Sequence, residues 1–296
     1  MTIACCYVVP EGIVLGADST ITTMIDGKPH YLNHNQKIFE VGEEGKGRFG
    51  IVTWGLTSFG NVSFRTLIGL LGDKLAEKEP LSVLDAANIW SNLVWEVYKV
   101  AFKYEIDRFR QIEHAIKTSL EPVTKYEIKN ENKIKDELND IFNRIRVGFC
   151  IAGYVDRDRM PHAYEIEFDP TLRSQAQPKS ITRLKHFGND NIVSRIVGVF
   201  DNEIKSSIIN SRFWNGDLQD LENILANVKL ERNDMTIRDA LDFVYFAIYS
   251  TIKATKFSTH DKDCGGPIEL AVITTDRKFR WVKHKNWDSA ISDWNP

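Results

Sequence analysis

The sequence predicts an α+β fold in which two antiparallel sheets carry helices on their outer faces. Strand-like runs come in groups, in the order strands, two helices, strands, two helices, strands, and do not alternate with single helices as in a parallel sheet. The sequence also lacks an internal repeat of solenoid length and a low-complexity linker. Because 43% of its 296 residues are hydrophobic, the chain can form an ordinary core, and we expect one domain over residues 1–296.

The first strands are predicted to form a hairpin. Residues 2–9 and 13–17 are rich in β-favouring side chains, and Pro10-Glu11-Gly12 between them is typical of a turn. Thr2 would then begin a sheet strand. Two further strand-like runs follow, at 37–41 and 50–54.

Two helices are predicted next. Apolar residues at helical spacing indicate a first helix over 58–76, and Ser82 with Asp85 forms a capping box that opens a second. Beyond Lys103 the pattern becomes strongly charged. From there to Arg146 we expect an inserted or extended helical arm, broken at Pro122 and serving as a solvated arm or an assembly surface.

The C-terminal half repeats this order. Strands are predicted over 147–156 and 162–169, and a helix over 192–209. Thr236 and Asp239 form another capping box at the start of an apolar helix. The runs PIELAVITTD and KFRWVKH predict a closing pair of strands.

Charge and cysteine content narrow the function classes. A net charge of −3 argues against a general nucleic-acid or membrane-surface role, which usually needs a basic face. The four cysteines form no CxxC pair and no dense disulfide framework, which favours a reducing cytoplasm. The apolar stretch at 3–9 is too short to span a bilayer and has no basic residues before it.

Thr2 is the first candidate catalytic residue. If Met1 is removed, Thr2 offers a hydroxyl nucleophile and a free α-amine, with an ordinary pKa near ~8, that can act as the base. A nearby cation would lower the pKa of the amine and stabilise the developing alkoxide, and Lys37 can supply it. Asp18, at the end of the neighbouring hairpin strand, can hold that lysine.

The quoted residues carry a resemblance to a known family. The segments TIACCYVVPEGIVLGADS, KIFEV and IVTWGLTSFG, and later HDKDCGGPIELAVIT, are similar to proteasome β subunits and their bacterial proteasome-like relatives, the threonine-type N-terminal nucleophile hydrolases. The similarity covers roughly 2–76 and 147–282. It implies a four-layer αββα sandwich, to which the charged helical insertion at 103–146 is additional.

The resemblance also implies an activity and partners. It predicts a threonine peptidase or amidohydrolase with a peptide or protein substrate, and self-assembly into a homo-oligomeric ring or similar closed array. The chain has no Walker motif, so any ATPase partner would be another chain. No cofactor is predicted.

Site roles follow from the same resemblance. Thr2 becomes the nucleophile, Asp18 and Lys37 its supporting ion pair, and Gly55 the backbone donor to the oxyanion. The other matched positions carry Asp261 in the family's acidic turn, Cys264 where that turn usually has serine, Asn189 where a serine is common, and Thr20 where many members have arginine. The residues that would shape a medium, mostly uncharged pocket for the residue preceding the cut are Ile21, Phe39, Thr53 and Thr57.

Two alternatives stay open from the sequence, and a possible metal site is set aside. A catalytically silent structural or peptide-binding subunit would have the same fold. Hydrolysis through Cys264, with His260 and Asp261 beside it, is a second alternative, although the glycines after Cys264 fit a structural turn better. His30 and His34 have a spacing that could bind a metal on a helix, but Gly27 and Pro29 predict a loop, and we assign no metal.

Overall fold

The structure is a computed structural model that describes residues 2–26, 28–118, 125–188, 191–225, 234–258 and 264–285. These residues form a mixed α/β fold with fourteen strands and eight helices. The strands are β1 (Ile3–Val9), β2 (Gly12–Ala17), β3 (Ile21–Ile25), β4 (Lys28–Leu32), β5 (Ile38–Val41), β6 (Phe49–Gly55), β7 (Ser58–Phe59), β8 (Val62–Ser63), β9 (Val147–Gly153), β10 (His162–Phe168), β11 (Lys179–Ile181), β12 (Leu184–Gly188), β13 (Glu269–Thr274) and β14 (Lys278–Lys283). The helices are α1 (Phe64–Glu77), α2 (Val83–Ala101), α3 (Lys103–Thr118), α4 (Lys125–Ile145), α5 (Asn191–Gly198), α6 (Asn202–Ile209), α7 (Leu218–Leu225) and α8 (Ile237–Phe257).

Two five-stranded sheets form the centre of the fold. The first has the strand order β12-β1-β2-β13-β14, and the second has the order β11-β10-β9-β6-β5. The pairings in both sheets are antiparallel, as the sequence predicted. Two short hairpins, β3-β4 and β7-β8, lie outside them.

Strand β1 shows why the central strands are apolar without interruption. Its side chains point alternately to the two faces of the sheet. Ala4 and Cys6 belong to a core cluster that also contains residues of the second sheet. Ile3, Cys5 and Tyr7 belong to a cluster shared with α8. Because both faces are buried, a continuous apolar run replaces the usual alternation.

Helices α1 and α2 pack on the second sheet. A third core cluster joins their buried residues to those of β6, β9 and β10. Both helices begin at a serine N-cap, Ser63 for α1 and Ser82 for α2, whose side chain accepts a hydrogen bond from an amide of the first turn. Thr236 caps α8 in the same way, so the N-caps predicted at Ser82 and Thr236 are confirmed.

Two helix predictions need correction, and one helix was missed. The helix expected from residue 58 begins at Phe64, because 58–63 form the small β7-β8 hairpin. The single helix expected over 192–209 is two helices, because Val199 has a positive φ of 75° and Asp201 caps α6 by accepting from the Ile204 amide at 2.8 Å. Helix α7 was not predicted at all.

The charged segment at 103–146 is not only a solvated arm. It forms α3 and α4, and the break predicted at Pro122 lies outside the described residues. The apolar side chains that it buries in the cluster of α1 and α2 are Ile106, Phe109, Ile112, Ile141 and Ile145. These residues recur at helical spacing among many charged ones, and the abundance of charge in the segment hid this amphipathic stripe.

No helix in the described ranges combines the length and the apolar character that crossing a membrane requires.

Candidate active site

Thr2 immediately precedes β1 and is buried, with 5% of its surface exposed. It lines a cavity of about 40 Å³, and Lys37 and Gly55 line the same cavity. The other residues that line this cavity are Thr20, Ile21, Thr22, Asn35, Thr53, Trp54, Leu56 and Thr57. Three residues predicted to act together, from three separate segments, thus meet at one cavity.

The hairpin register brings Asp18 to the beginning of β1. Ala4 is paired with Ala17, and the Asp18 amide donates to the Ile3 carbonyl at 3.1 Å. In return, the Ile3 amide donates to Asp18 Oδ1 at 3.1 Å. The carboxylate is therefore fixed one residue from Thr2 by the backbone that carries Thr2.

Asp18 and Lys37 form a buried ion pair, with 2.6 Å between Oδ1 and Nζ. The second carboxylate oxygen accepts from the amides of Thr20 at 3.1 Å and Gly265 at 2.9 Å. Lys37 Nζ also donates to the Thr20 carbonyl at 2.7 Å. Because a buried charge is tolerated only when paired and hydrogen-bonded, these contacts explain how both groups persist in the interior.

Burial lowers the pKa of Lys37, and the Asp18 carboxylate opposes that shift. The charged form of this lysine is therefore held in the interior by the Asp18 carboxylate and the Thr20 carbonyl. A cation in that state can stabilise a negative charge developing at Thr2 without competing solvation.

Two glycines bring the backbone close to the cavity. Gly55, at the end of β6, has φ +85°, and a Cβ there would lie 2.5 Å from the Arg146 carbonyl oxygen. Gly188, at the end of β12, has φ +83°, and a Cβ there would lie 1.9 Å from the Thr2 carbonyl oxygen. Both positions require glycine, and the second one allows β12 to pair directly against Ile3, the residue after Thr2.

The predicted pocket residues divide between two cavities. Ile21, Thr53 and Thr57 line the cavity at Thr2. Phe39 instead lines an adjoining cavity of about 410 Å³, which shares Asn35 and Thr57 with the first. The remaining residues of the adjoining cavity are His34, Gln36, Ser63, Phe64, Arg65, His284 and Lys285.

The adjoining cavity differs from the mostly uncharged pocket predicted from the sequence. It contains Arg65 and Lys285, which come from α1 and from the residues after β14. Neither position belongs to the segments that suggested the pocket. Arg65 and Lys285 line this cavity because tertiary packing brings them there, and local sequence patterns do not predict such packing.

A second buried ionic cluster lies beside the first. Glu269, at the start of β13, is completely buried, with its Oε1 2.8 Å from His284 Nδ1 and its Oε2 3.6 Å from Lys285 Nζ. Lys285 Nζ also donates to the Asn35 carbonyl at 2.6 Å and to Ser19 Oγ at 3.4 Å. The sequence signal that could have found it is a glutamate at the start of the buried strand ELAVIT, because a carboxylate there needs a cationic partner.

Cys264 does not line the cavity at Thr2. It is buried in the cluster of α8, with its sulfur 3.5 Å from Thr255 Oγ1. The predictions for Asn189, Asp261 and His260 lie outside the described residues.

The structure also tests the spacing of His30 and His34. His30 is exposed in strand β4, so the loop expected there is a strand, and the helical spacing that metal binding would need does not occur. In the part of the chain that the structure describes, no group of three or more His, Cys, Asp or Glu side chains could hold a metal ion.

Comparison with known proteins gives a likeness of fold. No protein-family model matches the chain, and no curated protein matches its sequence. Among solved structures the chain is similar to the Anbu (Gly-1) mutant from Hyphomicrobium sp. strain MC1, with 13% identity and a TM-score of 0.53, over 99% of this chain and 94% of that one. It is also similar to Anbu (ancestral beta-subunit) from Yersinia bercovieri, with 10% identity and a TM-score of 0.49, over 99% of this chain and 97% of that one. The likeness to the first of these structures shows that this chain has a mixed α/β fold of the proteasome-like kind.

The family assignment suggested by the sequence is wrong. It placed the chain among proteasome β subunits and bacterial proteasome-like N-terminal nucleophile threonine hydrolases. No family model supports that placement, and the solved structure that carries the likeness of fold is an Anbu protein at 13% identity. A likeness at such identity concerns the fold alone, so any activity has to be argued from the residues of the site.

Proposed function

We propose that the chain is an amide hydrolase of the threonine-peptidase type that uses Thr2 as its nucleophile once Met1 has been removed. The observation that carries the proposal is the cavity shared by Thr2 and Lys37, in which the lysine is paired with the buried carboxylate of Asp18. A hydroxyl, an adjacent α-amine and a fixed cation are the groups that acyl transfer needs.

In the proposed first half-reaction the Thr2 oxygen bonds to the carbonyl carbon of the amide, and the α-amine takes the hydroxyl proton. Negative charge develops on the former carbonyl oxygen. The Gly55 amide is the proposed donor to that oxygen, and the Lys37 ammonium stabilises the charge around the attacking oxygen. The carbon–nitrogen bond then breaks, and the leaving amine takes the proton back from the α-ammonium.

The second half-reaction uses the same groups in reverse. Water bonds to the carbon of the Thr2 ester while the α-amine takes a proton from it. The ester bond breaks, the Thr2 oxygen recovers a proton, and the acid product leaves. No separate histidine and no cofactor enters either step.

A catalytically silent structural or peptide-binding subunit is the second candidate. The observation that favours it is the small size of the cavity at Thr2 together with the 5% exposure of that residue. A retained Met1 would also favour it, because an acylated amine cannot act as a base.

One experiment separates the two candidates. The intact mass of the purified protein is measured before and after treatment with a peptide epoxyketone, which reacts with a terminal amine and its adjacent hydroxyl together. Loss of Met1 and gain of one adduct is expected, and the adduct should be absent from Thr2→Ala. Thr275→Ala is the matched control, because Thr275 lies in the turn between β13 and β14, at the end of β13 remote from Glu269. Retention of Met1 with no adduct would leave the silent subunit as the better account.

Two structural proposals accompany the function. We propose one domain with the layer order helices, sheet, sheet, helices, which is supported by three core clusters: one between the sheets and one on the outer face of each.

We also propose a homo-oligomer. Its support is a row of exposed aromatic side chains on α8, namely Phe246, Tyr249 and Phe257, and sedimentation velocity tests it.

A further inference from the structure

The cavity beside Thr2 is placed to receive a neighbouring part of the substrate. It has a volume of about 410 Å³ and shares Asn35 and Thr57 with the cavity at Thr2. Thr57 and Phe39, which line it, were both predicted to contact the residue preceding the cut. A substrate whose amide carbonyl lies at Thr2 would therefore extend its acyl-side chain into this space.

The described residues that line this space carry positive charge and no carboxylate. Arg65 and Lys285 are cationic, and the described lining includes no Asp or Glu. Arg65 is exposed on the first turn of α1, contacts the side-chain amide of Gln36, and lies over the Phe39 ring with its guanidinium carbon 5.6 Å from the ring centroid. The contacts with Gln36 and Phe39 help to orient its planar group at the rim of the cavity.

Buried carboxylates hold the two lysines beside the joined cavities. Asp18 and Glu269 are both completely buried and both hold lysines, Lys37 and Lys285 respectively. Arg65 adds a third cation at the rim of the joined cavities. Lys285 is 14% exposed, and its pKa is lowered by burial, with Lys37 and Arg65 acting in the same direction and Glu269 opposing it. An anion in the cavity would offset that repulsion.

We propose that this cavity binds a carboxylate of the substrate, so that the proposed hydrolase prefers amides whose acyl-side residue is acidic, with Arg65 as the residue that determines this preference. A guanidinium fork matches both oxygens of a carboxylate, and the partly enclosed site weakens the screening by solvent. The inference rests on the proposed function for its reaction, but the binding preference can be measured without turnover.

The test compares two fluorogenic peptide amides that are identical except for Glu or Gln immediately before the scissile bond. The expected kcat/KM of the wild-type protein is about tenfold higher for the Glu peptide, since an ionic contact present for only one substrate discriminates to that extent. In Arg65→Gln the ratio should fall to near one, and in the control Arg238→Gln, whose side chain is 83% exposed on α8, it should be kept. A wild-type ratio of one or less, or a ratio that Arg65→Gln leaves unchanged, would overturn the proposal.

Binding to Thr2→Ala separates this inference from the proposed function. Fluorescence anisotropy of labelled Glu and Gln peptides on this variant should give tighter binding of the Glu peptide, and adding Arg65→Gln should remove the difference. If wild-type protein hydrolyses neither peptide but this preference is found, the proposed function fails and the carboxylate site stands. Equal binding of the two peptides would overturn the proposed carboxylate site, whether or not the wild-type protein hydrolyses them.

Discussion

Lys37 and Asp18 form an ion pair that is sealed from solvent, with 2.6 Å between Nζ and Oδ1 and side chains that are 3% and 0% exposed. The two residues lie on either side of the β3-β4 hairpin in sequence, so the pair also fixes the path of the chain at the start of β1. Its energy is dominated by the cost of burying each charge, which only the partner and the surrounding amides offset.

Asp18→Asn should therefore destabilise the protein strongly. The substitution keeps the shape of the side chain but leaves Lys37 as an unpaired buried cation, and removing one partner of a buried pair costs roughly 3–5 kcal/mol. Urea denaturation measures the loss in free energy of unfolding. Glu43→Gln is the control, because its pair with Lys46 is exposed and is worth about 1 kcal/mol or less. The double variant Asp18→Asn, Lys37→Met should recover part of the loss, and failure to recover any would contradict the explanation.

Gly188→Ala should displace Thr2 and lower the yield of the epoxyketone adduct. A Cβ at this position would meet the Thr2 carbonyl oxygen at 1.9 Å, and the positive φ adds strain of about 1–3 kcal/mol. Gly60→Ala is a matched control, because Gly60 also has a positive φ, +57°, but has nothing within 4 Å of an added Cβ. If the two variants lose stability and adduct equally, the close approach at Thr2 is not the cause.

The sequence predicted those parts of the fold and site that local patterns encode. The β1-β2 hairpin could be predicted because Pro10-Glu11-Gly12 interrupts two β-favouring runs, and α2 and α8 because Ser82 and Thr236 provide caps. Thr2, Asp18 and Lys37 were predicted to converge; Thr2 and Lys37 line one cavity, and Asp18 is paired with Lys37.

The rest depends on contacts that no local pattern contains. Trp54 stacks on Phe187 of the other sheet at 3.9 Å between ring centroids, and Gly148 is small because a Cβ there would lie 2.0 Å from the Trp54 indole. The partnership of Glu269 with Lys285 likewise joins β13 to the segment after β14. The family assignment failed for a related reason, because short matching segments indicate a shared fold more readily than a shared activity.

Lys285→Met should change how stability depends on pH. Burial lowers the pKa of Lys285 in the folded protein below its ordinary value of 10.5, so in the window between the two pKa values the unfolded chain binds more protons. The free energy of unfolding of the wild type should therefore rise with pH in that window, relative to the variant, because Lys285 loses its proton in the folded protein and the cost of burying its charge disappears. Paired urea titrations of both proteins from about pH 8 to pH 10.5 measure this difference and cancel the other titrating groups. If the wild type gains no stability relative to the variant as the pH rises, or loses stability relative to it, the lowered pKa of Lys285 is contradicted.

Ile106→Ala should show that the charged segment contributes to the core. Ile106 is 4% exposed in the cluster shared with α1 and α2, and truncating a buried isoleucine costs about 2–5 kcal/mol. The matched control is Tyr104→Ala on the same helix, since Tyr104 is 78% exposed and surface substitutions change stability by about 0.5 kcal/mol. Thermal or urea unfolding of the two variants compares them. An equally small effect for both would restore the interpretation of this segment as a solvated arm.

Cys264→Ser should retain the epoxyketone adduct, whereas Thr2→Ala should lose it. The Cys264 sulfur contacts the Thr255 hydroxyl at 3.5 Å and does not line the cavity at Thr2, so a hydroxyl of similar size preserves the local hydrogen bond. The expected cost is at most about 1–2 kcal/mol of stability, from placing a more polar atom in the apolar cluster of α8. Intact mass after inhibitor treatment and a urea titration measure the two effects separately. Loss of the adduct in a Cys264→Ser protein that unfolds like the wild type would transfer the nucleophile to Cys264, because only a direct chemical role would then explain the loss.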